Sequence, residues 1–201
     1  MVEAGQTLWR IARAYGVPLD ELARINELAD PASLEIGREL LIPGASVPLN
    51  VPPYPAPLAG TLPPPGVGLE EPLDWPIADG RVLSGYGAPR GGRSHSGIDI
   101  GGAPGQPVLA AGAGLIVYSG STMRGYGQTI VIDHGGDLRS LYAHNSTLVA
   151  REGESVKRGQ VIARIGRSGN ASAEHCHFEI RRNDVAVDPL PYLQGAAAGT
   201  R

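Results

Sequence analysis

The sequence predicts a mainly β protein with a small helical module at its N-terminal end, and three observations carry that prediction. Glycine and proline supply 29 and 18 of the 201 residues while only 18% are charged, a composition of turns and short strands rather than of a helical bundle. From residue 73 onward short apolar runs alternate with glycine turns, in "RVLSGYG", "GLIVYSG", "QTIVIDHGG", "LRSLYAHNS", "QVIARIG" and "CHFEIRR". Near the N-terminus the apolar residues fall instead at helical spacing. The apolar share of 42% is too high for general disorder, and the length suits two small bodies.

In "TLWRIARAY" Leu8, Ile11, Ala12 and Tyr15 share one helical face, with Thr7 placed as N-cap and Gly16 at the stop. "PLDELARIN" repeats the period with Leu19, Leu22 and Ile25, Pro18 near its start and Asn26 near its end. "MVEAG" is long enough for a short opening strand, and "RELLIPG" reads as a closing one, giving β-α-α-β over residues 1–44. The stretch "VEAGQTLWRIARAYGVPLDELARINEL" followed by "LEIGRELLIPG" resembles a LysM module. That resemblance implies binding of N-acetylglucosamine-containing glycans, such as peptidoglycan or chitin, in a shallow groove. Carried over, the groove is lined by Gly5, Thr7, Leu28 and Ile36. Gln6 departs from the aspartate usual there, and Met1 stands where a strand residue is expected, which suggests a natural N-terminus further upstream.

Residues 45–72 hold nine prolines and almost no charge. Largely extended in polyproline geometry, such a linker spans up to roughly 80 Å. Residues 73–193 form the β body and 194–201 a tail. "GQPVLAAGAG" and "GESVKRGQVI" echo each other, the texture of a barrel-sandwich made from two similar sheets.

The net charge of −3 and pI near 5.9 argue against a nucleic-acid partner, which needs a basic footprint. The single Cys176 excludes an internal disulfide framework and a Cys-rich zinc site. No apolar run is long enough for a transmembrane segment, and no secretion signal opens the chain.

Chemistry concentrates in the histidines, of which there are five. In a strand reading of "HCHFEI", His175, His177 and Glu179 point one way while Cys176, Phe178 and Ile180 pack inward. Two imidazoles about 7 Å apart on one face suit a metal site and its immediate neighbour. "RSHSGIDIGG" adds His95 and Asp99. Fully extended, these two would stand about 13 Å apart at Cα, too far to share an ion with bonds of about 2 Å, so the chain must bend between them. Gly97 is read as permitting that turn or bulge. "YAH" contributes His144 at the end of a strand, and His134 in "HGGD" is read as a turn residue bonded to backbone. "GAPRGGRS" and "SGSTMRGYG" are expected to wall the cleft.

"HSGID", "YAH" and "HCHFE", in that order within one β domain, resemble the lysostaphin-type (LytM-like) zinc endopeptidases of peptidoglycan. The resemblance covers about residues 75–193. It implies one Zn2+ per chain held by His95, Asp99 and His177, with His144 and His175 as the catalytic pair, stem peptides as substrate, and a periplasmic or secreted place in the cell envelope. Two imidazoles and a carboxylate leave an open fourth position, the arrangement that lowers the pKa of bound water toward about 7. Glu179 is a candidate to orient a ligand imidazole. Two rival readings remain: a catalytically silent regulator of another wall hydrolase, and a thiol hydrolase on Cys176, whose strand parity turns it away from both neighbouring imidazoles. Residues 73–193 carry 12 Lys and Arg against 11 Asp and Glu, so long-range attraction to a charged wall is weak and concentration on the substrate falls to the LysM module.

Overall fold

The computed structural model describes residues 1–3, 6, 8–17, 19–28, 34–45, 49, 51, 72–135, 138–182 and 185–194. The chain divides into two compact units, Met1–Leu58 and Ala59–Arg201. No helix among the described residues is long and apolar enough to cross a membrane.

In the first unit, helices α1 (Leu8–Tyr15) and α2 (Leu19–Ile25) form where the apolar spacing predicts them. Leu8, Ile11 and Ala12 are buried on α1, and Leu22 and Ala23 on α2. Helix α1 ends at Gly16, whose φ of 66° is left-handed backbone, and the Val17 N–H closes on Ala12 O at 2.9 Å. Gly5, Thr7 and Pro18 lie outside the described residues. Leu28 is half-buried just past α2, and Ile36 is 72% exposed in a turn.

Neither the opening nor the closing strand forms among the described residues. Instead Val2 makes one pair of backbone bonds, donating to Arg38 O (2.9 Å) and accepting from Gly37 N–H (2.8 Å). Asn26 explains why the ladder goes no further. Its side chain donates to Leu22 O and to Leu41 O, each at 2.8 Å, and accepts from Leu41 N–H at 2.6 Å, while Arg38 donates to Asn26 O at 2.9 Å. The closing segment's backbone groups are thus satisfied by the end of α2 rather than by a neighbouring strand. Chain beyond residue 44 also packs here: Leu49 N–H donates to the Tyr15 hydroxyl at 2.6 Å, the Gln6 amide donates to Val51 O at 2.8 Å, and Val51 is buried.

The described strands of the second unit are β1 (Arg81–Ser84), β2 (Pro89–Arg90), β3 (Arg93–Ser94), β4 (Ile98–Gly101), β5 (Pro107–Leu109), β6 (Gly114–Gly120), β7 (Gln128–Gly135), β8 (Leu138–Leu148), β9 (Ser155–Val156), β10 (Val161–Ile165), β11 (Cys176–Arg182) and β12 (Val185–Val187). Every paired strand runs antiparallel to its neighbours. Where the sequence predicts two sheets, the structure has one continuous sheet, β1-β4-β11-β8-β7-β6-β9, with β10 joining β5 to β8, β12 on β11, and the β2–β3 hairpin apart. The reason is β8. It pairs with β11 and β7 along most of its length and with β10 from Asn145 to Leu148, and bulges in both β7 and β10 let the network bend there. The sheet surrounds one core that includes Ile98, Ile100, Val108, Ile116, Ile132, Tyr142, Ile162 and Phe178.

The two echoed segments share a turn chemistry. Gln106, Glu154 and Gln160 each close a turn whose preceding glycine has positive φ, and each side chain accepts the N–H three residues back: Ala103 at 2.9 Å, Arg151 at 3.0 Å and Lys157 at 3.0 Å. Val108 and Val156 are then buried. The ends of the unit meet as Leu73 donates to Tyr192 O (2.7 Å) and accepts from Gln194 N–H (2.8 Å). His134 differs from its turn reading: it lies within β7, buried, bonded to Ala113 O and to the Ser140 hydroxyl at 2.8 and 2.7 Å. Burial pushes its pKa down, so it serves as a neutral packing group.

Candidate metal centre

Strand β11 lies between β4 and β8, and its register sets His177 opposite Asp99 on one side and Ala143 on the other. Direct cross-strand partners share a face, so the imidazole and carboxylate meet without any loop to position them. His95 precedes β4 across a bend at Ser96–Gly97, which resolves the spacing problem posed by an extended chain. Gly97 lies in that bend, as its spacing predicts, and close packing adds a second requirement for glycine. A Cβ there would lie 2.2 Å from Phe178 O and 2.8 Å from Glu179 Cγ, so only glycine lets the bend press against β11.

Three ligand-type atoms converge. His95 Nε2, His177 Nδ1 and Asp99 Oδ1 are separated by 3.0, 2.9 and 3.1 Å, and all three residues are buried. Hydrogen bonds elsewhere fix which ring nitrogens face inward. His95 Nδ1–H donates to Gly85 O at 2.8 Å, and His177 Nε2–H donates to Glu179 Oε1 at 2.8 Å. In the neutral rings, two lone pairs and a carboxylate oxygen are therefore aimed at one point. Such a set repels itself unless a cation sits among it, and separations near 3 Å suit one ion with bonds of about 2 Å. The donors fit zinc.

The remaining two imidazoles flank this group. His144 Nδ1–H donates to Ser168 O and His175 Nδ1–H to Ala173 O, both at 2.8 Å, leaving each Nε2 bare. The two rings stand 4.9 Å apart between centroids, His144 lies 5.7 Å from the His177 ring, and His175 Nε2 is 3.5 Å from Asp99 Oδ1. His144 has φ of 64°, an uncommon conformation for a residue with a side chain, held by its N–H donating to Tyr126 O at 2.9 Å. All five predicted residues of this centre, His95, Asp99, His144, His175 and His177, are thus gathered in one place.

Electrostatics follow from burial and partners. Burial alone would raise the Asp99 pKa, but His177 and His95 hold it well below the usual carboxylate range. Burial would lower the His177 pKa, yet the Asp99 and Glu179 carboxylates on either side draw it up to about 9. His144 goes the other way: burial, reinforced by His177, lowers it to about 4, so it is neutral at pH 7. Burial pushes the Cys176 thiol up, and its side chain lies in the core, which removes it as a nucleophile.

Glu179 lies on the histidine face, as strand parity predicts, and is wholly buried. Its Oε1 accepts from His177, from the Ser96 hydroxyl and from the Tyr126 hydroxyl at 2.9 Å; Oε2 accepts from Arg181 Nε at 2.7 Å, with Nη2 of the same guanidinium 2.7 Å away as an ion-pair partner. Burial would raise its pKa, but His177 and Arg181 lower it. Sequence reasoning missed Tyr126, Ser96 and Arg181 in this network; the only available signal was Arg181, two residues from Glu179 and on the same face.

Above the centre opens a cleft of about 610 Å3. The β2–β3 hairpin forms one wall and the segment Arg124–Tyr126 another, as the two glycine-rich loops suggest. Arg90 donates to Asp99 Oδ2 and to the Ser84 hydroxyl, pinning the hairpin to the side of Asp99 away from the ligand cluster.

Comparison with known proteins agrees with this geometry. Residues 93–189 match peptidase family M23, and residues 1–43 match the LysM domain. The Uncharacterized lipoprotein YgeR of Escherichia coli is 39% identical over 96% of this chain and 79% of its own length. The Lipoprotein NlpD/LppB homolog of Pseudomonas aeruginosa is 36% identical over 96% of this chain and 76% of its own. The Murein hydrolase activator NlpD of E. coli is 46% identical over 59% of this chain and 30% of its own. Among solved structures, a zinc containing peptidase from Vibrio cholerae aligns with TM-score 0.56 and 28% identity over 60% of this chain and 40% of that one. The antimicrobial peptidase lysostaphin from Staphylococcus simulans aligns with TM-score 0.56 and 32% identity, over 63% and 56%. With these likenesses spanning both units, the chain belongs to peptidase family M23 and carries a LysM domain ahead of its peptidase domain.

Proposed function

We infer that the protein is a zinc-dependent endopeptidase that hydrolyses peptide bonds in peptidoglycan crosslinks or stem peptides, brought to the wall by its LysM module. The observation that carries this reading is the convergence of His95 Nε2, His177 Nδ1 and Asp99 Oδ1 beside two imidazoles whose free Nε2 atoms face the same cleft. His95, Asp99 and His177 would hold the ion, which supplies a Lewis acid for the scissile carbonyl and an acidified water. The chain's own groups do the rest. His144, neutral at pH 7, accepts the proton of the attacking water and then passes it to the departing amine. His175, fixed by Ala173, orients that water from the other side. The groove proposed for the LysM module, at Gly5, Thr7, Leu28 and Ile36, would bind the glycan strand, with residues 45–72 as tether and 73–193 as the peptidase domain. The lipoprotein names of the relatives support a place in the cell envelope.

A second reading has an observation of its own: several relatives are named murein hydrolase activators. The complete donor set and flanking imidazoles favour the peptidase. Purified sacculi digested with wild type, with His95→Ala and with added chelator, the fragments identified by mass, decide between the two. The peptidase releases peptide-cleaved fragments that disappear with His95→Ala and with chelator. If neither form releases fragments, yet both stimulate a separate wall hydrolase equally, the activator reading replaces it.

A further inference from the structure

We propose that the cleft selects crosslink peptides bearing free carboxylates, and that Arg93 and Arg124 are the residues that read them. The inference rests on the peptidase reading of the same cleft. It starts from a charge imbalance. The lining includes three arginines, Arg90, Arg93 and Arg124, but a single acid, Asp99, while residues 73–193 as a whole are near neutral, with 12 basic against 11 acidic side chains. The excess is local to the cleft.

Two of these charges have no side-chain partner among the described residues. Arg90 is engaged by Asp99 Oδ2 and Ser84, and Asp99 is directed at the metal centre. The Arg93 and Arg124 side chains are exposed and make no hydrogen bond or ion pair among the described residues. Both are nevertheless held in place by their backbones. Arg93 is the direct cross-strand partner of Arg90 in a hairpin closed by Gly91 and Gly92, both at positive φ. Cross-strand partners share a face, so Arg93 stands beside the side chain that reaches Asp99. Arg124 follows the buried Met123 in a turn closed by Tyr126 N–H on Met123 O at 3.2 Å, and Asn170 N–H donates to Gly125 O at 2.9 Å, fastening that turn to the segment that leads to His175.

A planar guanidinium without an internal acid is suited to a carboxylate, which it binds through two parallel N–H donors. A crosslink without free carboxylates offers such groups nothing and leaves two cations beside the proposed metal centre uncompensated. A peptide whose residues on either side of the scissile bond carry free carboxylates supplies that compensation. The chemistry therefore separates anionic from neutral crosslinks.

The test uses the zinc-loaded full chain and two synthetic crosslinked peptides, identical except that the carboxylates of one are converted to amides. We expect the free-carboxylate peptide to be preferred by about tenfold in kcat/KM, mostly through KM, since each charge-assisted hydrogen bond in a half-open cleft contributes modestly. In the Arg93→Gln/Arg124→Gln double variant the ratio between the two peptides should fall toward one, and Arg93→Lys/Arg124→Lys should recover most of it. Equal use of both peptides by the wild type, or a preference that survives the double glutamine variant, overturns the proposal while leaving the peptidase assignment intact. If neither peptide is cleaved, the assignment fails instead, and equilibrium binding of the same two peptides is measured. A carboxylate preference lost in the double variant supports the proposal, and equal or undetectable binding overturns it.

Discussion

Replacing Glu179 by glutamine changes little in shape and a great deal in electrostatics. The carboxylate is fully buried, takes the His177 Nε2–H at 2.8 Å, and is the acceptor for a 1% exposed Arg181 at 2.7 Å. The neutral amide leaves the guanidinium without its counter-charge and must turn its NH2 group either toward Arg181 or toward His177, Ser96 and Tyr126, donor against donor. Breaking a buried ion pair from one side costs about 3–5 kcal/mol, and because glutamine keeps one acceptor the lower end applies, a fall in Tm of roughly 10 °C. Metal affinity should drop by about 10–100-fold, because His177 loses the anion that fixes its tautomer and makes Nδ1 a better donor. Calorimetric unfolding and competition against a chromophoric chelator read the two effects separately. The double change Glu179→Gln/Arg181→Met sharpens the argument, since removing the stranded cation should restore most of the stability but none of the metal affinity. Wild-type affinity in Glu179→Gln, or affinity that returns with stability in the double variant, would refute the positioning role.

The other expectations follow from single observations. Gly97→Ala places a methyl group against the Phe178 carbonyl oxygen, which should cost about 3 kcal/mol or more and weaken metal binding together with stability, as read by urea unfolding and metal titration. His144→Gln should lower kcat by about 10²–10⁴-fold with zinc content unchanged, in contrast to His95→Ala, which should lose both. His144 also gives a pH dependence with a definite sign. Its folded pKa of about 4 lies below the ordinary 6.5, so as pH falls from 6.5 toward 4 the unfolded chain takes the proton first and the native state loses stability. Urea unfolding over that window should show a steeper pH slope for wild type than for His144→Gln, and equal slopes would contradict the assignment. Deleting residues 1–44 should reduce activity on intact sacculi by about tenfold or more while turnover of a small soluble crosslinked peptide is retained; equal activity on sacculi would remove the tethering role.

What the sequence conveys well is chemistry that depends on strand parity; what it conveys poorly is chemistry that depends on which strand lies beside which. His175, His177 and Glu179 share a face because alternate side chains in a strand must, and β11 spans Cys176–Arg182 as its pattern indicates. The same pattern gives no hint that Glu179 is buried. A half-exposed strand alternates polar with apolar, but both faces of β11 are covered, one by the core and one by the metal centre, so its polar residues point into an interior that period-2 reasoning takes for solvent. Gly97 shows the same division: its bend is foreseeable from the His95–Asp99 spacing, but the close approach of Phe178 and Glu179 comes from a strand some eighty residues later. Strand β4, hidden among glycines, and the merging of two expected sheets through β8 likewise depend on partners rather than on local pattern. Tertiary neighbours also decide the protonation chemistry. His144 and His177 have the same intrinsic basicity and lie 5.7 Å apart, yet one is held to about 4 and the other drawn to about 9, because only His177 stands between two carboxylates. The divergence arises from where Glu179 and Asp99 stand rather than from the histidines themselves, which is why no histidine count or spacing in the sequence conveys it.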